Sequence, residues 1–212
     1  ETTPKTVGIL SSWLTYNIYP ELIHGLEDGL YRGGYTMVLA NGNSDHKKER
    51  ESIHRMLDQG IAGLIIEPSM SAKLNAEDEF VKMLNRLDIP ILLTNTVVDG
   101  LRASAITIDD VDVGRLGTQY LIDMGHHRIA FIYKSDTQSG VFRHAGYTES
   151  LAANDIAYDS RLVRSYDDAG YERRPGAALT QAILEAAPEQ PTAIFYFNDE
   201  MALQGYDYLA SC

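Results

Sequence analysis

HHRIAFIYKSDTQSGVFRHAGY, residues 126–147, passes from an apolar run through a polar loop into a second apolar-and-basic run. Residues 128–133 are rich in aromatic and β-branched side chains and read as a buried strand. Residues 134–140 are polar and end in glycine, a loop. A helix opens after them and carries Arg143 about one turn in. Apolar strand, polar loop and helix together make the repeating unit of an open α/β sheet. Such sheets keep their ligands at the carboxyl ends of the strands, so this loop and Arg143 are candidates for holding one.

The same unit recurs on both sides. Strands are expected at 6–10, 35–40, 61–66 and 89–93, and each ends in a polar pair or triplet. Helices are expected at 19–32, where Leu22, Ile23, Leu26 and Leu30 form a stripe, at 45–59 with Ile53, Met56 and Leu57 inward, and at 80–87. Gly33-Gly34 and Gly60 stop the first two. This counts as four strand–helix units in about 95 residues, with short apolar strands of the kind buried on both faces of a parallel sheet. Residues 105–108 look like a short strand crossing out of this set. A helix follows Asp109-Asp110 and ends at Gly125. A second set then starts at Ile129, with strands near 129–133, 162–164 and 193–197, each followed by a helix. The reading is an α/β fold of two lobes, 6–108 and 109–212, with a ligand cleft lined by strand ends.

The totals fit that reading. A chain of 212 residues with 44% hydrophobic and 23% charged side chains suits two lobes with real cores. A net charge of −12 makes these residues a poor partner for nucleic acid or anionic membrane. The one cysteine, Cys212, permits no disulfide within the chain and fits a reducing, cytoplasmic compartment. No apolar run approaches the ~18 residues of a membrane span, and the start has no signal-peptide pattern.

Catalytic signatures are absent. The chain contains no GxGxxG, Walker loop, HExxH or GxSxG, and no cofactor is implied. His46 and His54 are expected in water on one helix, and His126-His127 at a helix end bonding its last carbonyls. Asp109, Asp110 and Asp112 fail the EF-hand pattern and read as helix-start carboxylates rather than metal ligands. Glu67 and Asp199 sit at strand ends like a glycosidase pair, but without an accompanying acid or nucleophile signature. What does recur is a hydrogen-bonding strand end: Ser11-Ser12, Asn41, Glu67, Asn95, residues 135–139, Tyr166-Asp167 and Asn198-Asp199. Trp13, Tyr16 and Tyr19 add aromatic faces near the first strand. Forked polar groups beside aromatic walls suit a small polyhydroxy compound.

The chain resembles the effector-binding core of the lactose/galactose-repressor (LacI/GalR) family of bacterial regulators nearly end to end. The resemblance rests on VGIL (7–10), GYTMVLANGN (34–43), GIAGLIIEPS (60–69), IPILLTN (89–95) and TIDDVDVGRLGTQYLIDMGHHRIAFI (107–132). RHAGY (143–147) and PTAIFYFNDEMALQGYDYL (191–209) complete it. Within the family, Glu67-Pro68 followed by Ser71-Ala72, KSDTQSGV (134–141) and FNDEMAL (197–203) are similar to the arabinose-responsive repressors of Gram-positive bacteria. The resemblance implies a periplasmic-binding-protein-like fold of two lobes, no catalysis, and a sugar effector, L-arabinose. It implies a homodimer that binds operator DNA through a domain outside these residues. It implies effector contacts at Arg143, Asn198 and Asn95, and places Gln138 and Ser139 in a loop that touches effector. Glu67, Trp13, Tyr19 and Tyr166 join the candidate set by position. Family cores also continue beyond the segment matching residue 212, so part of the second lobe is expected to be missing here. The rival readings are a periplasmic sugar-binding protein of a transport system, which shares the fold, and a sugar-acting enzyme dependent on Glu67.

Overall fold

The computed structural model describes residues 5–15, 18–171 and 174–212. The chain divides into two units, Glu1–Ile108 and Asp109–Cys212, each with its own sheet. In the first, the elements run β1 (Thr6–Ser11), α1 (Tyr19–Arg32), β2 (Thr36–Asn41), α2 (His46–Asp58), β3 (Gly63–Ile66), α3 (Glu79–Asn85), β4 (Ile91–Thr94) and β5 (Ser104–Ile106). The strand order is β2-β1-β3-β4-β5, all parallel. In that register Ser11 pairs with Asn41 and Leu10 with Ile66, so the polar residues after the strands gather along one edge of the sheet.

Local chemistry places the helices. Asp45 caps α2 by accepting from the Lys47 and Lys48 N–H groups, and Asp78 caps α3 by accepting from Phe80. Their inward faces bury Ile53, Met56, Phe80, Val81 and Leu84 against Leu10, Leu64, Ile66 and Leu93 of the strands. Two expectations fail. There is no fourth helix between β4 and β5, since residues 95–103 connect them as loop and turn. The strand expected to cross at 105–108 instead adds to β4 in parallel as the edge of the same sheet, with all three residues exposed. Sequence alternation marks strands but not which sheet receives them.

The second unit runs α4 (Asp110–Asp123), β6 (Ile129–Lys134), α5 (Gln138–Ala153), β7 (Val163–Tyr166), α6 (Asp168–Tyr171), α7 (Gly176–Ala186), β8 (Ala193–Tyr196) and α8 (Asp199–Ala210). Its parallel sheet has the order β7-β6-β8. The core centres on Phe131, whose ring stacks on Tyr147 (5.1 Å) and Phe195 (4.9 Å). The Tyr147 hydroxyl, buried with it, donates to the Ile129 carbonyl at 2.8 Å, and burial pushes its pKa well up. Helices α4 and α5 touch backbone to backbone. A Cβ on Gly114 would lie 2.8 Å from the Arg143 carbonyl carbon, and one on Gly146 would lie 2.7 Å from the Arg115 nitrogen. Glycine at these two positions is what brings Asp110 and Arg143 within reach of each other.

Candidate functional site

In the first unit the candidates gather at the carboxyl edge of the sheet. The Glu67 N–H donates to the Leu10 carbonyl at 3.0 Å, which carries the β1–β3 ladder one residue past the strand. Its carboxylate accepts from the Tyr19 hydroxyl (3.0 Å) and the Asn95 amide (3.3 Å). Asn95 adopts the left-handed conformation (φ 57°), tolerated by Asn better than by most residues, and its N–H donates to the Ile106 carbonyl at 2.9 Å. Three sequence candidates, Glu67, Tyr19 and Asn95, are therefore one hydrogen-bonded group. Trp13 is half-buried in the β1–α1 connection, where its carbonyl accepts from Ser11 Oγ at 2.7 Å. Tyr16 lies outside the described residues.

Behind this edge is a network the sequence reading missed. Glu49 of α2 is fully buried, and one of its oxygens accepts from both the N–H (3.0 Å) and the hydroxyl (2.5 Å) of Ser69. Ser69 Oγ in turn lies 3.1 Å from Ser12 Oγ. His46, expected in water, is instead half-buried. Its Nε2 is 2.7 Å from the Ser69 carbonyl and its ring stacks on Phe80 at 5.2 Å. The signal was available: Glu49, Ile53 and Met56 share one helical stripe, so a carboxylate on that stripe had to find a partner inside. His54 is exposed.

In the second unit Arg143 is held on two sides. Its Nε donates to Asp110 Oδ1 (2.8 Å), its Nη1 donates to the Phe197 carbonyl (2.7 Å), and the guanidinium lies 4.7 Å from the Phe197 ring centroid. Nη2 has no acceptor among the described residues. The three aspartates near the start of α4 therefore have separate tasks. Asp109 caps the helix by accepting the Asp112 N–H, Asp112 pairs with Arg115, and Asp110 is buried and orients Arg143. All three stand at the helix start as read, and Asp110 has in addition a partner 33 residues away that the sequence reading missed.

Asn198 caps α8, with Oδ1 accepting from the Met201 N–H at 3.0 Å, a bond that uses one lone pair and leaves Nδ2 uncommitted to the cap. Ser139 Oγ lies 3.3 Å from Oγ1 of Thr137, the cap of α5, and Gln138 is half-buried in the first turn of that helix. Tyr166 ends β7. It is buried, with its ring edge-on to Phe197 at 6.4 Å. Lys134, Asp136 and Asp168 form a buried charged cluster at the same strand ends. His126 bonds Thr192 (2.9 Å) rather than the carbonyls that end α4. His144 lies among Tyr133, Phe131 and Tyr147, and burial lowers its pKa.

No group of three His, Cys, Asp or Glu side chains among the described residues has the geometry to hold a metal ion, and no helix is long and apolar enough to cross a membrane. The pattern of the periplasmic binding proteins and sugar-binding domain of the LacI family matches residues 4–211. The arabinose metabolism transcriptional repressor of Geobacillus stearothermophilus is 31% identical over 94% of this chain and 55% of its own length. That of Halalkalibacterium halodurans is 28% identical over 97% and 54%. A crystallised sugar-binding transcriptional regulator of the LacI family from Escherichia coli, complexed with phosphate, superposes with a TM-score of 0.80 at 25% identity, over 99% of this chain and 74% of that one. The chain thus spans about half the length of the curated relatives it matches, and those relatives are regulators of transcription, not enzymes. With a family pattern that covers nearly every residue and parallel sheets whose strand ends carry polar groups, this chain belongs to the periplasmic binding proteins and sugar-binding domains of the LacI family.

Proposed function

We propose that these residues are the sugar-sensing part of a bacterial transcriptional repressor and that the effector is L-arabinose. The observation that carries this reading is Arg143. Its guanidinium is fixed by Asp110 and the Phe197 carbonyl, yet it keeps Nη2 for an outside acceptor. A fixed planar donor is suited to sugar hydroxyls, because little side-chain freedom remains to be lost on binding. Glu67, held by Tyr19 and Asn95, supplies the complementary acceptor in the first unit. Asn198, Gln138, Ser139, Trp13 and Tyr166 complete the proposed contact set. The choice of L-arabinose follows the two arabinose repressors among the relatives.

In the longer protein we infer a cytoplasmic homodimer that reaches operator DNA through a segment outside these residues, since the −12 charge here opposes direct contact with DNA. Sugar would act by binding one conformation more tightly than another, and that difference sets how far it can shift DNA binding. The test is calorimetric titration of this chain, and of the longer protein, with L-arabinose, D-xylose, D-ribose and D-galactose. Saturable heat with L-arabinose alone is expected. Binding of another of these sugars in its place removes the arabinose assignment, and four flat titrations of folded protein remove the sugar reading.

A further inference from the structure

Strand β6 ends in a charge that a core alone does not need. Lys134 is 7% exposed, and its Nζ lies 2.6 Å from Asp136 Oδ1 and 2.5 Å from Asp168 Oδ1. Asp136, 3% exposed, uses Oδ2 to accept the Asp168 N–H at 3.0 Å. One ammonium and two carboxylates are thus withdrawn from water, and they come from two different strand-end turns, β6–α5 and β7–α6. Burying such a group is unfavourable unless its geometry is fully used, and an apolar residue fills the same space more simply. Other constraints converge on the same turns. The Ser135 N–H and Oγ both donate to the Tyr166 carbonyl, at 2.8 and 3.1 Å. Thr137 accepts the Gly140 N–H, and Gly140 lies so close to the end of β6 that a Cβ there would be 2.8 Å from the Lys134 carbonyl carbon.

We propose that Lys134, Asp136 and Asp168 are positioning residues. They clamp the two turns to each other and hold Gln138, Ser139 and, through the first turns of α5, Arg143 in the arrangement that separates one sugar from another. The statement about sugar selectivity rests on the function proposed above; the clamp itself does not. The charge count makes the variants unequal. Lys134→Met leaves two buried carboxylates facing each other, whereas Asp168→Asn leaves one ammonium and one carboxylate in nearly the same shape.

The experiment is residue-resolved amide exchange by NMR on the 212-residue chain, read at Asp168 and Gly140, with Phe131 and Tyr147 as core references. Calorimetry with L-arabinose and D-xylose runs in parallel. Lys134→Met is expected to speed exchange at Asp168 and Gly140 by about tenfold or more while the core references stay within about twofold, and to produce saturable heat with D-xylose, which the parent is expected not to bind. Asp168→Asn is expected to fold and to loosen the turns less. If Lys134→Met does not fold, Asp136→Asn and Asp168→Asn decide the matter, with Asp136→Asn loosening the Asp168 amide more. Equal acceleration at all four amides, or none at Asp168 and Gly140, overturns the clamp. Loosened turns with both titrations unchanged from the parent overturn the selectivity role. Parent protein that binds neither of these two sugars removes the arabinose assignment and the selectivity role with it, and exchange alone then decides the clamp.

Discussion

Gly146→Ala should destabilise the second unit, although alanine is the better helix former. A Cβ at this position stands 2.7 Å from the Arg115 nitrogen, where non-bonded heavy atoms prefer about 3.5 Å or more. Helix α4 must therefore retreat by roughly 1 Å. Overpacking of this kind costs about 1–3 kcal/mol, against a helix-propensity gain of up to about 1 kcal/mol. The same retreat stretches the 2.8 Å bond between Asp110, one turn before Gly114, and Arg143, one turn before Gly146. Gly29→Ala on α1 is the internal control. A Cβ there meets nothing within 4 Å, so only propensity acts and a gain of up to about 1 kcal/mol is expected. Urea unfolding reads both variants. With a slope near 2 kcal/mol per molar, each 1 kcal/mol moves the midpoint by about 0.5 M. Trp13 is the one tryptophan and lies in the first unit, so its fluorescence follows Gly29→Ala, while NMR signals of Tyr147 follow Gly146→Ala. A midpoint for Gly146→Ala at or above that of the parent would refute the argument that the two helices meet backbone to backbone.

Arg143→Ala should raise the Kd for L-arabinose by more than about tenfold, since losing a hydrogen bond to a charged group costs about 1.5–3 kcal/mol; unchanged calorimetric affinity removes Arg143 from the contact set. His144 should titrate below its ordinary 6.5, because burial disfavours the imidazolium. Its neutral form then contributes stability that is complete above the unfolded value and lost as pH falls through the depressed folded one. An NMR titration midpoint at or above 6.5 contradicts this. Asp159 should titrate near 2, held down first by the Arg161 side chain and then by the Arg161 N–H. The stability it contributes is present above about 3.8 and disappears as pH falls through about 2. Arg161→Ala should return the midpoint toward 3.8, as read by carboxyl carbon NMR, and no movement rules out that pairing.

The strands and helices were legible where local pattern decides them. Apolar runs that stop at Ser11-Ser12, Glu67 or Asn95 mark strand ends, and Asp45, Asp78 and Asp109 announce helix starts. Topology was harder. Residues 104–106 look like any short strand, and nothing local says that they pair with β4. At the candidate site the sequence offered the residue types but not their partners. Glu67, Tyr19 and Asn95 were named separately, and only the fold shows them bonded to one another. Asp110 was read only as part of a helix start because its bond to Arg143 spans 33 residues. Lys134, by contrast, carried a readable warning: a lysine ending an apolar strand, with an aspartate two residues on, is an ion pair waiting to be buried.

The cap at α8 limits what the Asn198 side chain has left to offer. With one lone pair of Oδ1 engaged by the Met201 N–H, the Asn198 side chain keeps its two amide hydrogens and a second lone pair, whereas Arg143 has only hydrogens to give. Glu67, facing Tyr19 and Asn95, is a receiver. Lone pairs alone suit the guanidinium and repel the carboxylate. A hydroxyl gives and receives through the same atom, so it suits a guanidinium, an amide or a carboxylate alike, each in its own unit, without a change of protonation.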